Sequence, residues 1–134
     1  MILPNNATIA VLDGKNMRLF RNAGHEPHIV LESLPVPDLG VDNAGSGARH
    51  RSSTANPDRR RLEEDDFAAA ATGYLNREAL AGRIDKIVLA ADPRTLGEIR
   101  AHLHSALVDK VIAQIPSDLT GHQQESIAKA IMEA

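Results

Sequence analysis

The feature that most constrains the fold of this chain of 134 residues is the stretch from Pro35 to Arg61. It holds three of the seven prolines and three of the nine glycines, and it shows no hydrophobic periodicity. A structureless connection of this length is uncommon inside a compact domain and is usually functional or disordered. We therefore predict a single domain over residues 1–134 with a long, flexible loop at residues 35–61. Five arginines against three aspartates make this predicted loop basic, although the whole chain has a formal net charge of -3.

The residues before the predicted loop have the pattern of short strands. Ala7 to Leu12 is apolar, and the turn residues Asp13-Gly14-Lys15-Asn16 separate it from Met17 to Phe20. After a second turn, apolar and polar residues alternate from His28 to Ser33. Short runs of this kind, bounded by turn residues, are typical of β-strands. We predict an antiparallel meander of three strands.

The residues after the predicted loop alternate between helical and strand patterns. Phe67, Ala71 and Leu75 recur at helical spacing, for example, and a β-branched apolar run follows them. The predicted elements are, in order, a helix capped by Asp65 or Asp66, a strand from Ile84 to Ala91, a helix with Asp92 as N-cap and Pro93 at its first position, a strand from Val111 to Ile115, and a terminal helix opened by a capping box from Thr120 to Gln123.

This order predicts an α/β fold with a mixed five-stranded sheet, in which the antiparallel meander is followed by β-α-β-α units with parallel strands. The absence of cysteine excludes disulfides, thiolate metal sites and cysteine nucleophiles. The apolar runs are far shorter than the roughly 18 residues that a membrane span needs, so no membrane contact is predicted. The first residues lack the pattern of a secretory signal, and a cytoplasmic protein is therefore expected.

Five motifs in the right order carry a resemblance to a known family. The chain resembles the bacterial host attachment protein family and, more distantly, the middle domain of eukaryotic-type peptide release factors and of Pelota. The resemblance implies a sheet like that of the release-factor middle domain, which is similar to the ribonuclease H architecture. The motifs are Val11-Leu12-Asp13-Gly14, Asp65-Asp66-Phe67-Ala68, Ile87-Val88-Leu89-Ala90-Ala91-Asp92-Pro93, Leu96-Gly97-Glu98-Ile99-Arg100 and Ile115-Pro116-Ser117-Asp118-Leu119-Thr120.

The predicted loop takes the place of the release-factor loop that carries Gly-Gly-Gln. Here the sequence reads Gly45-Ser46-Gly47-Ala48-Arg49-His50-Arg51, without a glutamine, so peptidyl-tRNA hydrolysis is not implied. The resemblance implies a glycine and arginine loop suited to RNA, the ribosome or another anionic partner, and any effect on attachment to host cells is expected to be indirect. The alternative is a solvated linker. The predicted partner-binding residues are Gly45, Gly47, Arg49, His50, Arg51, Arg59, Arg60 and Arg61.

A second hypothesis is metal-dependent hydrolysis. Asp13 and Asp92 each follow a predicted strand, and in the ribonuclease H architecture carboxylates at such strand ends hold magnesium ions. The two carboxylates approach each other if the first and fourth strands are neighbours, and Glu64 or Asp65 would add a third ligand. The alternative is ordinary turn and helix-start chemistry. Mg²⁺ is expected under this hypothesis alone, and otherwise no cofactor or metal site is predicted.

Two further alternatives concern surfaces. Ile127, Ile131 and Met132 on the terminal helix would either pack on the protein's own sheet or form a homo-oligomer, and core packing is the expected outcome. A surface attachment factor is the remaining functional alternative. It requires export, for which the sequence shows no signal.

Overall fold

The structure, a computed structural model, describes residues 1–39 and 57–134. Its strands and helices are β1 (Thr8–Leu12), β2 (Met17–Asn22), β3 (Leu31–Leu34), α1 (Pro57–Leu80), β4 (Ile87–Ala91), α2 (Pro93–His102), α3 (Ser105–Val108), β5 (Val111–Ile115) and α4 (Gln124–Glu133). No helix in these two ranges combines the length and the apolar character needed to cross a bilayer.

The sheet has the strand order β3-β2-β1-β4-β5. β1 pairs antiparallel with β2 and parallel with β4, and β4 pairs parallel with β5. Every residue of β1 and β4 is buried, as expected of strands that are covered on both faces. The predicted fold class, an α/β domain with a mixed five-stranded sheet, is confirmed.

Helices cover both faces of the sheet because successive side chains of a strand point to opposite sides. Ala10 and Leu12 face a core formed with the apolar sides of α1, α2 and α3. Ile9 and Val11 face a second core formed with α4 and the segment before β1. Ile127 and Ile131 of α4 are fully buried in this second core.

The predicted start of the first helix at Asp65 or Asp66 is wrong. α1 begins at Pro57, so Arg59, Arg60 and Arg61 are helical and the predicted loop cannot extend to residue 61. The error has a physical cause. The residues of α1 from Arg59 to Asp66 include no buried apolar side chain, and a search for an apolar stripe therefore does not detect them. Their arginine, leucine and glutamate residues are nevertheless good helix formers.

The predicted capping box at the start of α4 is also wrong. α4 begins at Gln124, and its N-cap, Gln123, makes no side-chain capping bond. The Thr120 hydroxyl instead donates to Asp118 Oδ1 at 2.6 Å and lies 3.1 Å from Asp13 Oδ2. By contrast, the predicted cap of α2 is confirmed, because Asp92 Oδ2 accepts from the backbone N–H of Thr95 at 3.1 Å.

A buried asparagine fixes the connection between β2 and β3. The Asn22 side chain is fully buried, and its Nδ2 donates to the carbonyl oxygens of Leu3 and Pro4. Its Oδ1 accepts from the backbone N–H groups of Gly24 and Val30, both at 3.0 Å. The amide therefore uses both of its N–H donors and two acceptor positions. These hydrogen bonds offset the free-energy cost of burying a polar side chain.

Gly24→Ala tests this connection. A Cβ at Gly24 would lie 2.8 Å from the His28 carbonyl oxygen and 3.0 Å from the Val30 nitrogen, so backbone would have to move. We expect the substitution to lower the free energy of unfolding by about 1–3 kcal/mol, measured by urea denaturation. Gly121→Ala is the matched control, because a Cβ there meets nothing within 4 Å. Equal loss of stability in both variants would contradict the packing argument.

Candidate functional site

The carboxyl ends of β1 and β4 form one edge of the sheet. Leu12 pairs with Ala91 in the parallel ladder, so the next residues, Asp13 and Asp92, leave the sheet side by side. The condition for their approach, that the first and fourth strands are neighbours, is therefore met. Around them is a cavity of about 320 Å³, here called the acidic pocket, which is lined by Asp13, Gly14, Lys15, Glu64, Asp92, Thr95 and Asp118.

Asp13 holds the turn between β1 and β2. Its Oδ1 accepts from the backbone N–H groups of Lys15 at 2.7 Å and Asn16 at 2.6 Å. Partial burial by itself would raise the pKa of Asp13, but these backbone hydrogen bonds, together with the Thr120 hydroxyl, outweigh it and lower the pKa below its ordinary value. The carboxyl group is thus held in its ionised form as part of a tight turn.

The other carboxylates of the acidic pocket also have partners within the protein. Asp92 caps α2, and Asp118 Oδ1 accepts from the Thr120 backbone N–H at 2.9 Å. Glu64 Oε1 lies 3.0 Å from Arg94 Nη1. The turn, the helix cap and the ion pair that these groups make are sufficient structural reasons for carboxylates at these positions.

Carboxylate oxygens are ligands that Mg²⁺ accepts, so the pocket has the right donor type for the hydrolase hypothesis. Over residues 1–39 and 57–134, however, no group of three or more His, Asp and Glu side chains is arranged to hold a metal ion. The two residues predicted as a third ligand, Glu64 and Asp65, both pair with Arg94, at 3.0 Å and 2.7 Å. In this arrangement Asp13 and Asp92 therefore lack the third carboxylate ligand that the hypothesis adds to them.

The first turns of α1 carry the described part of the predicted partner-binding set, Arg59, Arg60 and Arg61. Arg60 and Arg61 are exposed, and none of the three forms an ion pair with a described residue. Arg59 Nε is shielded from solvent and has no hydrogen-bond partner in the described part of the chain. We call these three residues the basic end of α1. The other predicted residues, Gly45, Gly47, Arg49, His50 and Arg51, lie outside the described residues.

Arg94 pairs with two acids of α1 beside the acidic pocket and was not found from the sequence. It lies in the first turn of α2, and its guanidinium donates to Glu64 Oε1 and Asp65 Oδ1. The order of the predicted helices and strands could have indicated it. Because α1 leads into the start of β4, the first turns of α1 must lie near the end of β4, where α2 begins.

A glycine allows α1 to approach the turn after β1. A Cβ at Gly14 would lie 2.8 Å from Glu64 Cγ and 2.9 Å from Glu64 Cδ. Any larger residue at position 14 would therefore displace the Glu64 side chain that pairs with Arg94.

Of the three α4 residues predicted to form a homo-oligomer contact, one is exposed in the structure. Ile127 and Ile131 are fully buried in the protein's own core, and Met132 is 51% exposed. A contact between two copies through α4 would therefore depend on Met132 rather than on an apolar face.

Asp13→Asn tests the charge in the β1–β2 turn. Because its pKa is lowered in the folded protein, ionised Asp13 stabilises the fold above the pKa of the unfolded chain, and this contribution is lost as the pH falls through the folded pKa. At neutral pH we expect the variant to be less stable than the wild type by up to about 1 kcal/mol, allowing for solvent screening. The difference should shrink at a pH below the ordinary aspartate pKa of 3.8.

Urea denaturation of both proteins at the two pH values measures this difference. Asp85→Asn, at an exposed aspartate, controls for removal of a negative charge. A difference between the wild type and Asp13→Asn that does not change with pH would contradict the role assigned to the ionised form.

Comparisons with known proteins place the chain in a family. No curated protein matches it significantly. A family model described as bacterial archaeo-eukaryotic release factor family 12 matches residues 6–131, which include all five strands of the sheet and all of the described helices except the last two residues of α4. The predicted likeness to release factors is therefore confirmed, whereas attachment to host cells stays a prediction. The chain belongs to bacterial archaeo-eukaryotic release factor family 12.

Proposed function

We propose that this protein is a non-catalytic, cytoplasmic member of the family. It binds RNA at the ribosome through the basic end of α1 and through the arginines that precede that end in the sequence. The observation that carries the proposal is that Arg60 and Arg61 are exposed and form no ion pair with any described residue. Any effect on attachment to host cells would follow indirectly from this binding.

The placement of the three arginines is explained better by binding than by folding. The first turn of a helix has a partial positive charge, so cations there are electrostatically unfavourable, by a few tenths of a kcal/mol each. A phosphate group reverses the sign of this effect, because helix N–H groups and guanidinium groups both attract it. Arg59 and Arg60 thus oppose the helix dipole in the free protein, and together with Arg61 they would complement a bound phosphate.

The binding would be through phosphates and not through stacked bases. The chain has three aromatic residues: Phe20 and Phe67 are buried in the two cores, and Tyr74 packs against one of them. None of them is within five residues of the basic end of α1, and base stacking needs an exposed aromatic face. Contacts to the backbone alone give binding that tolerates different sequences and falls steeply with salt.

The proposed function does not include catalysis of peptide release. The release-factor reaction depends on a glutamine after paired glycines, and the segment from Gly45 to Arg51 has none. Family membership therefore supports a location at the ribosome, and the residues of this chain support binding there without hydrolysis.

Sedimentation of cell lysate on a sucrose gradient tests the proposal. We expect the wild type to migrate with ribosomal particles at low salt and to dissociate as salt is raised, because phosphate contacts release counterions. Replacing Arg59, Arg60 and Arg61 with glutamine should abolish this migration and leave the circular dichroism spectrum unchanged. The matched control replaces three exposed cations elsewhere with glutamine, Arg77, Lys86 and Lys129, and should still migrate with ribosomes. A wild type that never migrates with ribosomal particles would refute ribosome binding.

Metal-dependent hydrolysis remains a second candidate because of one observation, the side-by-side exit of Asp13 and Asp92 into the acidic pocket. It predicts RNA cleavage by the purified protein in the presence of Mg²⁺ or Mn²⁺, with loss of cleavage in Asp13→Asn and Asp92→Asn. Asp85→Asn, outside the pocket, should cleave as the wild type does. If the wild type cleaves no member of a broad panel of single- and double-stranded RNAs, this candidate is rejected.

A further inference from the structure

The acidic pocket carries negative charge that the described part of the chain does not neutralise. Of its four carboxylates, Glu64 pairs with Arg94, whereas the other three, Asp13, Asp92 and Asp118, form no ion pair with a described residue. Carboxylates gathered in one concave site produce a negative potential that raises the local concentration of cations. The pocket therefore favours a cationic ligand over an anion or a neutral molecule.

Three of these carboxylates keep one oxygen available for a ligand. Asp92 caps α2 through Oδ2, and Asp118 holds its own turn through Oδ1. Glu64 bonds to Arg94 through Oε1. Within residues 1–39 and 57–134, the second oxygen of each of these three groups accepts no hydrogen bond. The structural roles of the three carboxylates thus use one oxygen each and leave the other unused.

A buried threonine in the same lining has an unused hydroxyl. Thr95 is 4% exposed and lines the pocket, and its hydroxyl forms no hydrogen bond with any residue that the structure describes. By contrast, the hydroxyl of the buried Thr72 donates to the carbonyl oxygen of Ala68 at 2.7 Å. Buried polar groups in native proteins are nearly always hydrogen-bonded. The Thr95 hydroxyl therefore indicates a partner that occupies the pocket.

We propose that the acidic pocket is a binding site for a guanidinium group, carried by a small molecule or by an arginine side chain of a partner protein. The acceptors are the unused oxygens of Glu64, Asp92 and Asp118 and the hydroxyl of Thr95. The site does not include the basic end of α1, so the inference is independent of the proposed function.

The number of acceptors favours guanidinium over an ammonium group. The four acceptors belong to three segments of the chain, namely α1, the start of α2 and the connection between β5 and α4. Guanidinium has five N–H donors in a planar fork, whereas an ammonium group has three donors at one point. Guanidinium is also more weakly hydrated, which lowers the cost of entering a partly buried site.

The size of the pocket suits a side chain better than a single ion. Its volume of about 320 Å³ is near the lower end of the roughly 300–1,000 Å³ that is typical of small-molecule sites. Among the described residues, no three His, Asp or Glu side chains are arranged to hold a metal ion. A guanidinium on an alkyl stem fills this space and bonds to the separate oxygens individually.

NMR spectroscopy of the isotope-labelled protein tests the inference with Nα-acetyl-arginine methylamide, whose one charge is its guanidinium. We expect the backbone amide signals of Gly14, Lys15 and Thr95 to shift in a saturable way, with an affinity that falls as salt is raised. Nα-acetyl-lysine methylamide, which has an ammonium group on a similar stem, should bind at least about three-fold more weakly. Equal affinity for the two compounds would show that the assignment to guanidinium is wrong.

Two further probes distinguish the sources of the guanidinium group. Tighter binding by a blocked Gly-Arg-Gly peptide than by butylguanidine supports an arginine of a partner protein, and the reverse order supports a small molecule. Magnesium chloride is the third probe. If Mg²⁺ shifts the same signals at lower concentration than every guanidinium compound, the pocket is a metal site and the inference is overturned. The absence of a saturable shift with any guanidinium compound overturns it as well.

Two substitutions remove acceptors while keeping the local structure. Thr95→Val removes the hydroxyl, retains a branched side chain and should weaken binding about two- to five-fold. Asp92→Asn keeps an oxygen for the cap of α2, replaces the unused oxygen with N–H donors and should weaken binding about five-fold or more. Thr72→Val and Asp85→Asn, at residues outside the lining, are the matched controls and should bind as the wild type does. Thermal unfolding verifies that each variant folds.

Lys15→Gln should have the opposite effect, which damage to the fold cannot imitate. Lys15 is the one cation that the described lining contains, and it forms no ion pair with a described residue. Its removal should strengthen binding of Nα-acetyl-arginine methylamide about two- to three-fold, because a competing positive charge is lost. Lys86→Gln, at an exposed lysine outside the lining, should leave the affinity unchanged. If Lys15→Gln weakens binding, or if Thr95→Val and Asp92→Asn bind as the wild type does, the inference is overturned.

Discussion

The parallel pairing of β1 with β4 is the constraint on which the rest of this structure depends. Both strands are buried along their whole length, so the two cores on opposite faces of the sheet meet through them. A parallel neighbour requires a crossover, and α1 supplies it by running back along the sheet before β4 begins. The start of α1 therefore lies at the edge where Asp13 and Asp92 leave the sheet. The acidic pocket and the basic end of α1 are neighbours for this reason alone.

Because the acidic pocket and the basic end of α1 are neighbours, this part of the surface has an acidic region beside a basic one. The formal net charge of -3 does not show this separation, because it is a sum over the whole chain. The carboxylates of the acidic pocket are held by a turn, a helix cap and an ion pair, and hydrogen bonds lower the pKa of Asp13 so that it stays negative. Phosphates are repelled from such a pocket and attracted to Arg60 and Arg61 beside it. Arg94 forms ion pairs with Glu64, which lines the pocket, and with the neighbouring Asp65.

The sequence predicted the elements whose signals are local. The apolar runs of β1 and β4 and the cap and proline of α2 act within a few residues. The structure confirms them, except that β4 begins at Ile87 and not at Ile84 as predicted. The features that it did not reveal depend on distant partners. The Thr120 hydroxyl contacts Asp13, which is 107 positions away, and Arg94 pairs with Glu64, 30 positions away. The start of α1 was missed because residues 59–66 include no buried apolar side chain to detect.

The two activities that the family and the fold suggest make different demands on the residues present. Hydrolysis requires reacting groups held within a fraction of an ångström of the productive geometry, and the segment from Gly45 to Arg51 lacks the glutamine that release requires. Phosphate binding needs exposed cations and tolerates variation in their geometry, because Coulomb attraction falls off slowly with distance. Arg60 and Arg61, at the basic end of α1, are such exposed cations. The described residues therefore suit the proposed phosphate binding better than they suit hydrolysis.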